Sequence, residues 1–560
     1  MTENRRIARA AGLVSVFTLL SRIAGLVRDA VIGYYFGTGV AADAFFVAFR
    51  IPNLLRRFVA EGAMGAAFVP VFTDYLTHRS RAAAMQAASA LAGVAGVGLL
   101  GLTLVGVVFA PAWTTLFAPG FTDEGGKFAL TVSLTRWMFP YLLLVSLVAL
   151  SSGALNALRH FAAPALSPVF LNLAIIAAAL LLCPRLPVPV YGLAYGVLIG
   201  GLLQLAIQIP PLRWHGVPLM PRWQPRHEAV RRTFGLMGPM VFGAAVYQIN
   251  LVISTMLASV LPSGSVSYLW YADRVFEFPL GIFAVALGTA VLPSFSAQAV
   301  RGAHAELRHS LSFAIRLTNF IVLPATVGLI VLAMPIVSVL FQRGAFGPTE
   351  VRWTAQALCA FALGLWPVSM LRLVVPAFYA MENARTPVLT AAGAFVSNCV
   401  FSVVFMGPVA AAGESPLADA IAALTRSAAV VDFRHTGLAL ATSLSAAVNL
   451  VLLWLALRRR LGALGGFENV LSFLRSTVAS LAMIPAVRHV AALVDWTQPG
   501  ALLSRAAVLL LAMVVGVAVY ACVALLAGGA EVRALIRQVR ERAPFETPPE
   551  EGGSSGRAVL

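Results

Sequence analysis

Long apolar stretches, separated by short breaks that carry arginine, run through almost the whole chain. A membrane-spanning helix needs about 20 largely apolar residues. Stretches of that kind occur at 10–36, 42–74, 84–110, 128–157, 162–183, 188–210, 233–260, 265–296, 312–341, 351–381, 386–408, 435–457, 470–487 and 502–527. The pattern predicts an all-α integral membrane protein with about 14 transmembrane helices. Several stretches are longer than a bilayer requires, so tilt, kinks or protrusion are expected. Pro52, Pro140, Pro279, Pro324 and Pro367 lie inside them and are expected to bend them. Residues 1–9 are polar and basic, but no small-residue cleavage site follows, so the first stretch reads as a retained helix rather than a signal peptide. Two regions break the pattern. Residues 411–434 read as a longer external loop with room for a short amphipathic helix. Residues 543–560, rich in Pro, Glu, Gly and Ser, read as a disordered tail.

The chain also resembles itself. GAAFVPVFT (65–73) aligns with GTAVLPSFS (288–296), an offset of 223 residues. Ala154, Ala157, Pro164 and Leu166 align with Ala377, Ala380, Pro387 and Leu389 at the same offset. Each unit holds six spans, an even number, so the two copies share one orientation and are expected to be related by a pseudo-twofold axis along the membrane normal. The domain reading is an N-terminal lobe at 1–215, a C-terminal lobe at 216–460, a helix pair outside the repeat at 461–530, and a largely disordered tail at 531–560. In transporters built this way the substrate site lies between the halves.

Composition sharpens this picture. The 560 residues are 59% hydrophobic and only 11% charged, against about 25% charged in soluble domains. The net charge of +17 does not point to nucleic acid, because it sits mostly in short loops. With the N-terminus inside, 21 basic residues fall on the cytoplasmic side and 8 on the other. The positive-inside bias therefore places both termini in the cytoplasm. Lys127 is the only lysine and is assigned to an external loop. Cys183, Cys359, Cys399 and Cys522 all fall in apolar stretches without close pairing, and the eight histidines form no ligand-spaced cluster. No disulfide framework, metal site or cofactor is expected. The lone lysine precedes Phe128, so there is no Gly-Lys-Ser/Thr phosphate loop. No catalytic constellation stands out, and the chain does not read as an enzyme.

The candidate chemistry lies in charges inside the apolar stretches. Arg22, Arg28, Asp29, Asp43, Arg50, Arg56, Arg57 and Glu61 occur between Ser21 and Tyr75, and Asp273, Arg274 and Glu277 form a second group. A charge at the bilayer centre costs from about 3 to more than 10 kcal/mol, so such a group faces a wet cavity or a partner. Both groups occupy early helices of their halves, which directs them toward one central cavity. Arginine suits phosphate through its planar, always-charged fork, and several arginines in one cavity match a pyrophosphate better than a carboxylate. Asp29, Asp43 and Glu277 are positioned to neutralise them when the site is empty. A plainer reading stands beside this one. Arg274 and Glu277 at i,i+3 also suit a structural ion pair, Arg56 and Arg57 sit where side chains snorkel, and Arg50 and Arg372 suit helix packing.

The run at 21–75, from SRIAGLVRD through VAADAFFVAFRIPNLLRR to FVPVFTDY, resembles the start of the MurJ/MviN family, the bacterial lipid II flippases of the MOP superfamily. SGSVSYLWYADRVFEFPLGIFAVALGTAVLPSFS (263–296) resembles their eighth helix. The resemblance implies two six-helix lobes plus a C-terminal helix pair that extends a hydrophobic groove, a central cationic cavity, and alternating access. By motif position it implies substrate binding by Arg22, Arg28, Arg56 and Arg274, accompanied by Asp43 and Glu277. Ser21, Asp29, Arg50, Asn53 and Glu61 are read as accessory residues beside them. Some members use a sodium site in the second lobe. The corresponding helices here hold Asn250 and Asn398 but no set of carboxylates, which counts against such a site. The implied substrate is lipid II, undecaprenyl-pyrophosphoryl disaccharide pentapeptide, moved from the cytoplasmic to the periplasmic leaflet of the bacterial inner membrane. Membrane lipids and other cell-wall synthesis proteins are the further partners, and a monomer is expected. The alternative is a MATE-like exporter or a flippase of another polyprenyl-linked glycan.

Overall fold

A computed structural model of the chain describes residues 3–57, 64–123, 126–217, 220–410, 415–462, 464–498 and 500–527. Glu61 and the tail at 531–560 lie outside the described residues. Among the described residues the chain is helical, apart from a single β-bridge between Met406 and Asp432. The first repeat comprises α1 (Glu3–Phe36), α2 (Val40–Arg56), α3 (Gly65–His78), α4 (Arg81–Val108), α5 (Ala110–Phe117), α6 (Lys127–Met138), α7 (Pro140–Ala157), α8 (Ala162–Leu181), α9 (Tyr191–Ala206) and α10 (Ile209–Trp214). The second comprises α11 (Glu228–Ser259), α12 (Ser265–Pro279), α13 (Val285–Val300), α14 (His304–Val331), α15 (Ala333–Phe341), α16 (Pro348–Leu363), α17 (Leu365–Ala380), α18 (Arg385–Phe405), α19 (Pro416–Ala428) and α20 (Arg434–Leu461). Then come α21 (Gly466–Ala482), α22 (Ile484–Ala491) and α23 (Leu502–Leu526).

Ten helical segments among the described residues are long and apolar enough to cross a membrane. They coincide with the third to sixth and the ninth to fourteenth stretches read from the sequence. The first, second, seventh and eighth stretches are absent from this set, and of these the first, second and eighth carry the charge clusters. Proline acts more sharply at some sites than bending alone: α7 begins at Pro140, and a π-helical turn, Leu280–Ala284, follows Pro279.

The helix packing repeats. In the first repeat α2 packs on α6, α3 on α7, α4 on α7, α8 on α9 and α1 on α8. In the second, α12 packs on α16, α13 on α17, α14 on α17, α18 on α20 and α11 on α18. Contacts between the halves exchange in the same way: α1 meets α15, α11 meets α5, and α2 meets α12. A twofold relation running between α2 and α12 requires this arrangement. Contacts between helix ends also respect the alternation of direction. Arg79 pairs with Glu228 at 2.8 Å on the arginine-rich side, and the Arg79 guanidinium holds the Glu228 carboxyl below its usual range. On the opposite side Gly120 Nα donates to Ser259 Oγ at 3.2 Å. A side chain at Gly120 would collide with the backbone of Ser259 and Val260.

Two additions have no counterpart in the first repeat: the helices after α20, and α19 inside the second repeat. Buried Arg505 of α23 donates to Ser338 Oγ (2.8 Å), Gln342 Oε1 (2.7 Å) and the Asp495 carbonyl (2.8 Å), which fastens the terminal helices to α15. Within 411–434, α19 is an amphipathic helix. It buries Ala418, Ile421, Ala422 and Thr425, and packs on α18 and on the turn Pro119–Asp123 of the first repeat.

Candidate functional site: a cationic cavity between the repeats

A cavity of about 560 Å³ lies between α1, α2 and α8 of the first repeat and α12 and α17 of the second. Arg22, Arg28, Arg56, Arg274 and Glu277 line it, together with Ser21, Arg50 and Asn53. Arg57, Asp273 and Arg372 line it as well. Helical spacing explains the gathering. Arg22 and Arg28 are about 120° apart around α1 and share one broad face. Arg50, Asn53 and Arg57 follow one stripe of α2, and Trp270, Asp273, Arg274 and Glu277 follow one stripe of α12.

The centre of the site is a charge triad that joins the repeats. Asp29 Oδ1 accepts from Arg28 Nε at 2.8 Å and from Arg28 Nη2 at 2.6 Å. Its Oδ2 faces Arg274 Nε at 3.1 Å across the interface. Arg274 Nη1 in turn donates to Glu277 Oε2 at 3.1 Å. Asp29 is fully buried, whereas the side chains of Arg274 and Glu277 are 32% and 41% exposed. The buried carboxylate thus orders two arginines while Arg274 still presents part of its fork to the cavity. Arg28 Nη1 donates to Asn172 Oδ1 at 3.1 Å, and Asn172 Nδ2 donates to the Ser21 carbonyl at 3.2 Å. Arg22 Nη1 donates to the Glu277 carbonyl at 3.3 Å and lies against Gly281, so it bridges α1 to the π-helical turn.

The sequence reading requires one correction in placement. Asp43 does not reach the cavity or pair with its arginines. It is buried at the start of α2, where Oδ2 accepts from Lys127 Nζ at 3.0 Å and from Gly264 Nα at 2.7 Å. Oδ1 accepts from Ser267 Nα at 2.9 Å and Ser267 Oγ at 2.6 Å. Asp43 therefore caps the first turn of α12 from the other repeat, where free N–H groups and the helix dipole favour an anion. Gly264, at φ 95°, supplies the left-handed turn that aims its N–H there. Lys127, expected in an external loop, is 1% exposed. Tyr271 Oη adds a hydrogen bond to the Gly37 carbonyl at 3.1 Å. This polar layer closes the cavity on the side opposite the arginine-rich one. Toward the arginine-rich side the lining continues through Val14, Thr18, Arg56 and Arg57.

Sequence reasoning missed Asn172, Trp270 and the role of Lys127. The lone lysine was a signal in a chain that uses arginine elsewhere. Asn172 gave none, because a single asparagine in an apolar helix is uninformative without its neighbours. In the second repeat Asn398 Nδ2 donates to Asn250 Oδ1 at 2.7 Å. No group of three or more His, Cys, Asp or Glu residues suited to a metal ion occurs among the described residues.

Two repeats around a charged cavity, sealed on one side, define a membrane transporter of the alternating-access class. The family model described as lipid II flippase MurJ matches residues 32–429. A relative from Vibrio cholerae, named probable lipid II flippase MurJ, is 37% identical over 545 residues and covers 94% of this chain and 97% of its own length. The lipid II flippase MurJ of Burkholderia cenocepacia is 37% identical over 521 residues, covering 91% and 96%. Among solved structures, a lipid II flippase MurJ in an inward closed conformation superposes with a TM-score of 0.74 at 26% identity, over 94% of this chain and 100% of that one. An inward-facing multidrug MATE transporter of the MOP superfamily shares the fold alone, at TM-score 0.62 and 16% identity over 81% of this chain and 99% of that one. The chain belongs to the lipid II flippase MurJ family.

Proposed function

We propose that this protein moves lipid II across the bacterial inner membrane by alternating access. The observation that carries the reading is the Arg28–Asp29–Arg274 triad, which joins the two repeats at the cavity wall, with both arginines in the lining and Asp29 buried behind them. A pyrophosphate bound there competes with Asp29 and Glu277 for Arg274, and so couples substrate binding to the contact between lobes. A ligand drives such a change only through different affinities for the two states. The lobes are 1–215 and 216–460, with the 461–530 pair flanking the second. The head group occupies the cavity while the prenyl tail stays in lipid. Arg22, Arg28, Arg56 and Arg274 bind the anion, with Ser21, Arg50 and Asn53 beside them. Glu277 and Asp29 serve as counter-ions to the empty site. The protein acts as a monomer and as a carrier rather than a catalyst.

The test is replacement of the resident flippase in depleted cells. Expression of this chain is expected to return lipid II to the outer leaflet, read by accessibility to an externally added lipid II-cleaving enzyme. Lipid II confined to the inner leaflet, with the protein present in the membrane, would overturn the reading.

The arginine-rich side is placed in the cytoplasm, with fourteen crossings and both termini inside. Val430 and Trp214 are both well exposed, and this topology puts them on opposite sides of the membrane. In a background without native cysteines, Val430→Cys is expected to react with an impermeant thiol reagent on intact spheroplasts, and Trp214→Cys only after lysis. The reverse pattern would invert the topology.

A further inference from the structure

We propose that Trp270 is a positioning residue for the anion site, holding Arg50 of one repeat and Arg274 of the other as a preformed pair. The proposal rests on the anion-binding reading of the cavity. The indole of Trp270 lines the cavity, and the guanidinium carbons of Arg50 and Arg274 lie 5.2 and 5.0 Å from its ring centroid. Both distances fall within the range in which a cation is attracted to an aromatic face, and indole is the strongest such partner. The ring is itself fixed, stacked on Phe46 at 4.7 Å and 18° and meeting Phe49 edge-on at 6.3 Å. Phe49 carries a third guanidinium, that of Arg28, at 5.8 Å. The arginines of the site thus stand on an aromatic floor built by α2 and α12 together.

Two features separate this role from ordinary packing. First, the buried Nε1–H of Trp270 has no hydrogen-bond partner. Phenylalanine would stack on Phe46 without stranding a donor, so indole brings an unfavourable group, and its stronger hold on cations is a gain that phenylalanine does not match. Second, an aromatic neighbour does not compete with phosphate as a carboxylate does. Asp29 and Glu277 occupy hydrogen-bonding positions of Arg274 and must yield them to a bound anion. The ring keeps its hold on the cation while the N–H fork is exchanged, so the spacing of the pair survives loading and release.

The experiment uses the full chain in nanodiscs, with position 270 carrying Trp or mono-, di- or trifluorotryptophan introduced at a single codon. Fluorination drains the ring face with little change of shape. The probes are undecaprenyl pyrophosphate and, as the uncharged control, undecaprenol. Affinity for the pyrophosphate is expected to fall stepwise along the series, by about threefold to tenfold overall, while undecaprenol binding and thermal stability stay constant. Trp270→Phe is expected to fall within the same range. A flat affinity across the fluorinated series, with the unsubstituted chain binding the pyrophosphate well, would overturn the role of Trp270 alone. Failure of the unsubstituted chain to prefer the pyrophosphate over undecaprenol would overturn the anion reading as well.

Discussion

Alanine at position 274 abolishes transport while leaving the protein folded: that is the expected result of the most disruptive substitution in the cavity. Arg274 contacts Asp29 on the opposite repeat and Glu277 on its own helix. It is also the triad member most open to the cavity. Hydrogen bonds to charged groups contribute about 1.5–3 kcal/mol each, so losing a two-pronged contact to phosphate reduces transport by more than about a hundredfold. Stability changes little, because the side chain is about one-third exposed and Asp29 retains two hydrogen bonds from Arg28. Arg274→Lys keeps the charge but not the fork and is expected to fall between the two, roughly ten- to hundredfold down. Leaflet assays in depleted cells, with membrane abundance measured in parallel, check the series. Full complementation by Arg274→Ala at normal abundance would remove this residue from the substrate site.

The second large effect is expected outside the cavity lining, in the polar layer that closes the cavity. Asp43→Ala removes four acceptor contacts at once and leaves the Lys127 ammonium buried without its carboxylate. Breaking a buried pair from one side costs about 3–5 kcal/mol. The variant is therefore expected to unfold at clearly lower temperature in detergent and to lose transport. The double variant Asp43→Ala, Lys127→Met removes the stranded charge and is expected to recover part of that loss, which gives a sizeable coupling energy in a double-mutant cycle. It does not recover all of it, since Gly264 and Ser267 remain without their acceptor. Equal stability of Asp43→Ala and the parent chain would show that the layer does not hold the two repeats together. Loss of transport in Asp43→Ala therefore does not by itself make Asp43 a substrate ligand, because its partners lie in the seal between α2 and α12.

Much of this molecule is legible one residue at a time. Hydrophobic length specifies helices because a bilayer leaves backbone groups no other partner, and ten of the apolar stretches recur as membrane-length helices. The 223-residue offset anticipated the repeated packing of α2 on α6 and α12 on α16. The expense of charge in an apolar helix singled out Arg22, Arg28, Arg50, Arg56, Arg274 and Glu277, all of which line one cavity. What composition and spacing did not decide was pairing, because electrostatic partners are chosen across space rather than along the chain. Asp29 and Asp43 looked alike as carboxylates within apolar stretches. Tertiary structure sends Asp29 to two arginines and Asp43 to a lysine and the start of a helix more than 200 residues away. Lys127 and Trp270 acquired their roles in the same way. Lys127 reaches Asp43 through the packing of α6 on α2 within the first repeat, whereas Trp270 reaches Phe46, Phe49 and Arg50 only because one repeat closes on the other, and in both cases folding brings charges and rings within the few ångströms over which they act.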